Sequence, residues 1–156
     1  MRIIILAVLI FTAGMSFMLE KESLSGSRWH CKTMKTDFLS KAFEPYQSLY
    51  ERMIFTFQSN ETFSIKEFVT ITDKDESSHA VENLYNGYYK QQGDRLSMTI
   101  VDVRTATEHP DPVINADYSE CQGISIDYHY QVLDDYLYLF NDNRSEIFNS
   151  ICYQVN

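Results

Sequence analysis

The sequence has little that bends or staples a chain: among 156 residues there are five Gly, three Pro, three Cys and one Trp. So little Gly and Pro excludes collagen-like and low-complexity disordered classes, and no internal repeat or biased tract divides the chain. Basic residues are also scarce, 13 Lys+Arg against 22 Asp+Glu, which gives a net charge of −9. A nucleic-acid binder needs a basic footprint, so that class is excluded. The body contains no apolar run of the roughly twenty residues that a membrane-spanning helix requires. What the chain does have is core-forming material, 44% hydrophobic and 14% aromatic residues, with 11 Tyr and 10 Phe. Its length suits one domain.

Residues 1–16, MRIIILAVLIFTAGMS, open with one basic residue, Arg2, run apolar without a break from Ile3 to Phe11, and leave through small residues. This is the pattern of a secretory signal peptide, with Gly14 and Ser16 as the small residues before a cut after Ser16. Residues 17–156 are then the mature domain, one unit more acidic for the loss of Arg2. The apolar stretch is short for a span and is soon followed by Glu20, Lys21 and Glu22. The expectation is export to a periplasm or the cell exterior, with no stable membrane insertion after cleavage.

All three cysteines, Cys31, Cys121 and Cys152, lie in the mature part. In an oxidising compartment an odd count implies one disulfide and one remaining thiol, and sequence alone allows three pairings. There is no C-x-x-C pair and no His at zinc-site spacing from another ligand, so no metal is assigned.

Past residue 23 the period is two. Met53, Phe55 and Phe57 share one face, and Arg52, Thr56 and Gln58 the other. Phe63, Ile65, Val69 and Ile71 continue the pattern after a turn at Ser59-Asn60-Glu61, with an irregularity expected at Glu67-Phe68. Residues 73–78 read as a polar loop, and Gly93-Asp94 as a hairpin turn between strands at 84–90 and 96–105. Residues 106–122, with Pro110 and Pro112, read as the longest loop. The clearest strand follows, with Ile124, Ile126, Tyr128, Tyr130 and Val132 facing one way. Turns at Asp134-Asp135 and 141–143 separate strands at 136–140 and 147–155, and the segment 29–36 brings the count to eight. One short helix is expected after the first strand, over 37–43. Eight antiparallel strands with one apolar face must either sandwich or close. Connections of mostly hairpin length favour closure, which also removes exposed edges. The expected fold is therefore all-β, a single antiparallel up-and-down barrel.

The opening Leu24-Ser25-Gly26-Ser27-Arg28-Trp29 resembles the Gly-to-Trp start of the lipocalin-like (calycin) barrels. The stretch from Asn86-Gly87-Tyr88-Tyr89 to Gly93-Asp94-Arg95-Leu96 is similar to the mid-domain hairpin of small exported members. The resemblance implies a barrel with Trp29 as a structural plug at one end, and an Arg packed on it, for which Arg144 is the candidate. Two residues separate Gly26 from Trp29 where the family usually has one, and no helix-forming segment follows the last strand.

Catalytic patterns are missing. There is no G-x-S-x-G, no H-E-x-x-H and no Gly-rich phosphate cradle, so no enzyme and no cofactor is expected. Asp73, Asp75 and Ser77 imitate the start of a calcium loop, but Ser78 stands where Gly is needed and Leu84 where the bidentate Glu belongs. Glu108, His109, Asp111, Asp117 and Glu120 gather in one connection, a composition usual for an exposed loop. The sequons at Asn60 and Asn143 fall on turns and matter only in a host that glycosylates.

Two functions from different classes follow. A small eight-stranded barrel is either filled by its own side chains or holds one small ligand. The first function is a barrel binding a small apolar or amphipathic molecule among Phe55, Phe57, Met98, Tyr128 and Tyr130. The second is an interaction module, an inhibitor or accessory subunit, whose acidic surface meets a basic protein partner. Closure of the barrel would pair the first strand with the last. It would then bring Cys31 to Cys152 as the disulfide and leave Cys121 as the thiol.

Overall fold

Side chains that alternate inward and outward along short, tightly connected strands can share one core only if the sheet curls over its apolar face. The computed structural model, which describes residues 23–35, 41–141 and 149–155, shows that curl carried to closure. The strands are β1 (Arg28–Lys35), β2 (Ser48–Phe57), β3 (Thr62–Thr72), β4 (Ser78–Gln92), β5 (Arg95–Thr107), β6 (Ser125–Leu133), β7 (Tyr136–Asn141) and β8 (Ser150–Gln154). Each pairs antiparallel with its sequence neighbour, and β8 returns to pair with β1. The all-β up-and-down barrel is the architecture formed.

The inner face is continuous across the strands. Trp29 lies opposite Phe55, Phe55 opposite Ile65, and Ile65 opposite Tyr85. Cys31 lies directly opposite Cys152, their Cα atoms 4.2 Å apart, and the two form the disulfide that locks β1 to β8. Cys121 is the free thiol.

Three details differ from the sequence reading. β3 runs unbroken through Glu67-Phe68, with Glu67 turned inward and the Phe68 ring outside, under the Arg52 guanidinium at 5.3 Å and the Lys66 ammonium at 4.9 Å. A charged residue at an inward position had read as a break. The helix expected over 37–43 falls mostly outside the described residues, and its described end, Lys41–Phe43, is one 3-10 turn. The helix stands instead after β5, as α1 (Pro112–Ser119), inside the stretch read as a loop. Asp111 caps it by accepting from the Val113 backbone N–H at 2.9 Å, and Pro112 begins its first turn. The two prolines read as loop markers, but an Asp-Pro pair also starts helices, because Pro at the first position has no N–H to lose. Arg144 and Asn143 lie outside the described residues.

Two apolar clusters line the barrel, one toward each end. The larger occupies the half where the chain enters and holds Trp29, Phe55, Phe57, Phe63, Tyr89, Leu96, Met98, Tyr128, Tyr130, Leu137 and Leu139. Leu24 is fully buried across this end, and the Trp29 indole N–H donates to Ser27 Oγ at 2.7 Å. The smaller cluster, Phe43, Tyr46, Leu49, Val69, Ile71, Val81, Ile114 and Tyr118, closes the opposite end beneath α1. Gly87 lets the sheet bend at a bulge between β4 and β5. A Cβ there would collide with the Thr99 carbonyl oxygen and come within 2.9 Å of the Phe63 ring.

Replacing Cys31 and Cys152 together by Ala should cost on the order of 4 kcal/mol in chemical denaturation, since the bridge closes a loop across nearly the whole domain. Peptide mapping should link these two and leave Cys121 open to alkylation on unfolding. Gly87→Ala should cost about 2 kcal/mol, the overpacking penalty of a Cβ against backbone.

Candidate functional site

Between the two clusters the barrel carries a polar layer, built by residues on the inward parity of four neighbouring strands. Glu51 comes from β2, Glu67 from β3, Asn83 and Tyr85 from β4 and Thr105 from β5. Register places them at one level: Glu67 lies opposite Asn83 and Asn83 opposite Thr105, while Glu51 is the diagonal neighbour of Glu67 across β2 and β3. Glu51, Glu67 and Asn83 are the buried polar side chains of this layer, at 7%, 5% and 0% exposure.

The hydrogen bonds run along the layer. Thr105 Oγ1 donates to Asn83 Oδ1 at 2.8 Å, Asn83 Nδ2 donates to Glu67 Oε2 at 2.9 Å, and the Tyr85 hydroxyl donates to the same oxygen at 2.7 Å. Glu51 also hydrogen-bonds to Glu67. Two bare charges so placed would meet both desolvation and mutual repulsion. Burial above all, then the Glu51 charge, pushes the Glu67 carboxyl up to about 8. Burial and then the charge of Glu67 raise the Tyr85 phenol well above its usual value.

From the lid side, α1 adds Tyr118. Its ring packs edge-on against Phe43 with centroids 5.9 Å apart, and it is only 7% exposed. Its hydroxyl is buried without a hydrogen-bond partner among the described residues. Burial raises its pKa first, followed by the charges of Glu67 and Glu51, so the hydroxyl lies within the field of the acid pair. A buried hydroxyl without a partner costs about 1–3 kcal/mol. Cys121, just beyond α1, is held up to about 11 by burial first and Glu67 second, which makes it a poor nucleophile.

What fastens α1 is a second polar group, around His109. Asn115 accepts from the His109 backbone N–H at 2.9 Å and donates to its carbonyl at 2.8 Å. The Asp111 backbone N–H donates to His109 Nδ1 at 3.0 Å, which places the ring proton on Nε2. The Tyr46 hydroxyl donates to Asp111 Oδ2 at 3.0 Å, and burial together with this bond pushes Tyr46 up to about 12. His109 therefore belongs to a buried latch, not to an exposed loop; it is 5% exposed, with its Nε2 unpartnered among the described residues. Its pKa is lowered, by burial first and His79 second. Among the described residues no three His, Cys, Asp or Glu side chains group as a metal site. The Ser77 hydroxyl donates to Asp73 at 2.9 Å and to Asp75 at 2.8 Å in their turn.

The five side chains assigned to ligand from sequence all face inward and are buried: Phe55 3%, Phe57 0%, Met98 2%, Tyr128 5% and Tyr130 5% exposed. They belong to one cluster, with Phe55 stacked on Phe57 at 6.3 Å and Tyr89 edge-on to Phe57 at 5.1 Å. Tyr130 hydrogen-bonds Gln91 and the Gly93 carbonyl at the entry end, away from the acid pair. Tyr128 faces the layer, its pKa raised by burial and then by Glu51. The layer itself was missed in the sequence. Its signal was a polar residue on an apolar parity: Glu67 between Ile65 and Val69, Asn83 between Val81 and Tyr85, Glu51 between Leu49 and Met53. A groove of about 510 Å³ lies at the entry end, bordered by exposed Ser23, Ser25, Ser59 and Glu61.

No protein-family model matches the chain, and no curated protein matches it.

Because Glu67 keeps its proton further up the pH scale when folded than when unfolded, its contribution is fully present below its ordinary pKa near 4.5 and is lost as pH rises toward about 8. Glu67→Gln, a permanently neutral stand-in, should flatten the fall in Tm between those limits and be the more stable form at its alkaline end. Thermal melts of parent and variant across that range check this.

Proposed function

We propose that the protein is an exported, lipocalin-like barrel that holds a small amphipathic ligand without catalysis, received at the end covered by α1. The observation that carries this reading is the acid pair buried under a short helix whose Tyr118 hydroxyl has no partner among the described residues. A barrel that served only as a scaffold would gain stability by replacing these groups with hydrocarbon. Retaining them is costly, and a ligand polar at one end and apolar at the other would satisfy both the layer and the cluster around it. α1 is eight residues long, buries only Ile114 and Tyr118, and is held by the His109–Asn115 and Tyr46–Asp111 hydrogen bonds, which would open to admit a ligand. Export is supported by the apolar leader and by the Cys31–Cys152 bridge. No helix among the described residues is long and apolar enough to cross a membrane.

A second reading rests on the outer face. Tyr136, Tyr138 and Phe140 stack along β7, with centroids 6.4 and 6.5 Å apart, beside exposed Ile151 and Tyr153 on β8. On an acidic protein such a strip suits a basic protein partner docking through aromatic contact.

Native mass spectrometry of the mature protein from its own host compartment separates the two. A discrete small mass lost on denaturation is expected, with the polypeptide beginning at Phe17. A bare mass, or a second polypeptide released by salt, would favour the docking strip.

A further inference from the structure

We infer that the ligand carries a protonated amine, and that this ammonium docks on Glu67 and Glu51 with the Tyr118 hydroxyl as its third contact. The inference rests on the ligand reading above and narrows it to one chemical class.

The layer is built to receive a cation. Glu67 Oε2 already takes two donors, Asn83 Nδ2 at 2.9 Å and Tyr85 Oη at 2.7 Å, and neither donor carries a charge. Their presence orients the carboxyl without neutralising it. A guest that was itself an anion would meet two glutamates and be repelled, and a neutral hydrocarbon would leave the Tyr118 hydroxyl as unsatisfied as before. An ammonium has three donors and no acceptor, so it complements two carboxylates and one hydroxyl oxygen. Charge-assisted bonds of this kind are about twice as strong as neutral ones, more so out of water. The hydrocarbon that bears the amine would lie against Val69, Val81 and Ile114 of the lid cluster.

The exchange balances. In the unliganded barrel burial and the neighbouring Glu51 charge favour the protonated form of Glu67. When the ammonium enters, the Glu67 proton leaves to solvent, Glu67 becomes a carboxylate, and the guest keeps its own protons. Binding therefore releases about one proton per site, and affinity rises with pH until the amine itself titrates. The titratable groups facing the site from the other elements are Tyr85 on β4, Tyr128 on β6, Tyr118 and Asp117 on α1, and Cys121 beyond it. The three tyrosines and Cys121 are raised by burial and stay neutral through this range, so Glu67 supplies the proton.

The test is isothermal titration of the disulfide-intact mature protein with phenethylamine and hexylamine, against phenethyl alcohol, hexanol and hexanoate. Running each at two pH values and in two buffers of different ionisation heat counts the protons. The expected result is binding of the amines alone, with about one proton released and affinity higher at the higher pH. Glu67→Gln should weaken amine binding on the order of tenfold or more. Tyr118→Phe, which removes only the unpartnered hydroxyl and should fold at least as well, should weaken it severalfold. If the alcohols or hexanoate bind as well as the amines, and Glu67→Gln leaves this unchanged, the amine assignment falls while the ligand reading stands. If none of the probes binds and the host-purified protein shows a bare mass, both fall.

Discussion

Closure of the sheet is the constraint from which the rest of the structure follows. Once β8 returns to β1, every inward residue of eight strands faces one space whose width is set by strand number and tilt. No strand can then hide a misplaced side chain at an edge, because there is none. The Cys31–Cys152 bridge sits at that seam, on two strands far apart in the chain, and holds the one pairing between strands that are not neighbours in sequence. The other seven pairings join neighbours in sequence and cost little loop entropy.

A closed interior also forces a decision about polar residues. Glu51 and Glu67 occupy inward positions of strands whose register is fixed by long apolar runs, so neither can turn to solvent without turning out its neighbours. The barrel accommodates them by lining up Asn83 and Tyr85 as donors to Glu67, with Thr105 donating to Asn83 in turn, and by favouring the protonated form of Glu67. Tyr118 is the part this arrangement does not satisfy. Its hydroxyl comes from α1, not from the sheet, and no strand register brings it a partner. The proposed ligand and its proposed amine both start from that imbalance: paired acids below, an unanswered hydroxyl above.

Much of the frame was legible in the residues. Period-two alternation located the strands, the Gly93-Asp94 and Asp134-Asp135 turns located two hairpins, and closure followed from short connections. The disulfide followed from closure, since only a closed sheet brings β1 and β8 together. The errors share one cause: a local signal was judged without its surroundings. Glu67 looked like a fault in β3 because a charge on an apolar parity is disfavoured unless other strands supply its donors. Residues 112–119 looked like loop because Pro110 and Pro112 stop strands, while the burial that makes a helix of them, Ile114 and Tyr118 against Val69 and Val81, is entirely non-local. The same holds for His109, polar in sequence and buried in the fold.

By itself, then, the sequence determined the strand order, the inward parity, the scarcity of basic charge and the pair of cysteines able to seal the barrel. These depend on backbone periodicity, turn chemistry and composition, all of which act within a few residues. Only the tertiary structure decided that Glu51 and Glu67, on neighbouring strands, would meet as one acid pair, and that a helix would bring an unpartnered hydroxyl into their field. Their meeting depends on the register between strands and on what covers the open end. Both are set by the summed packing of the whole inner face, not by any segment of it.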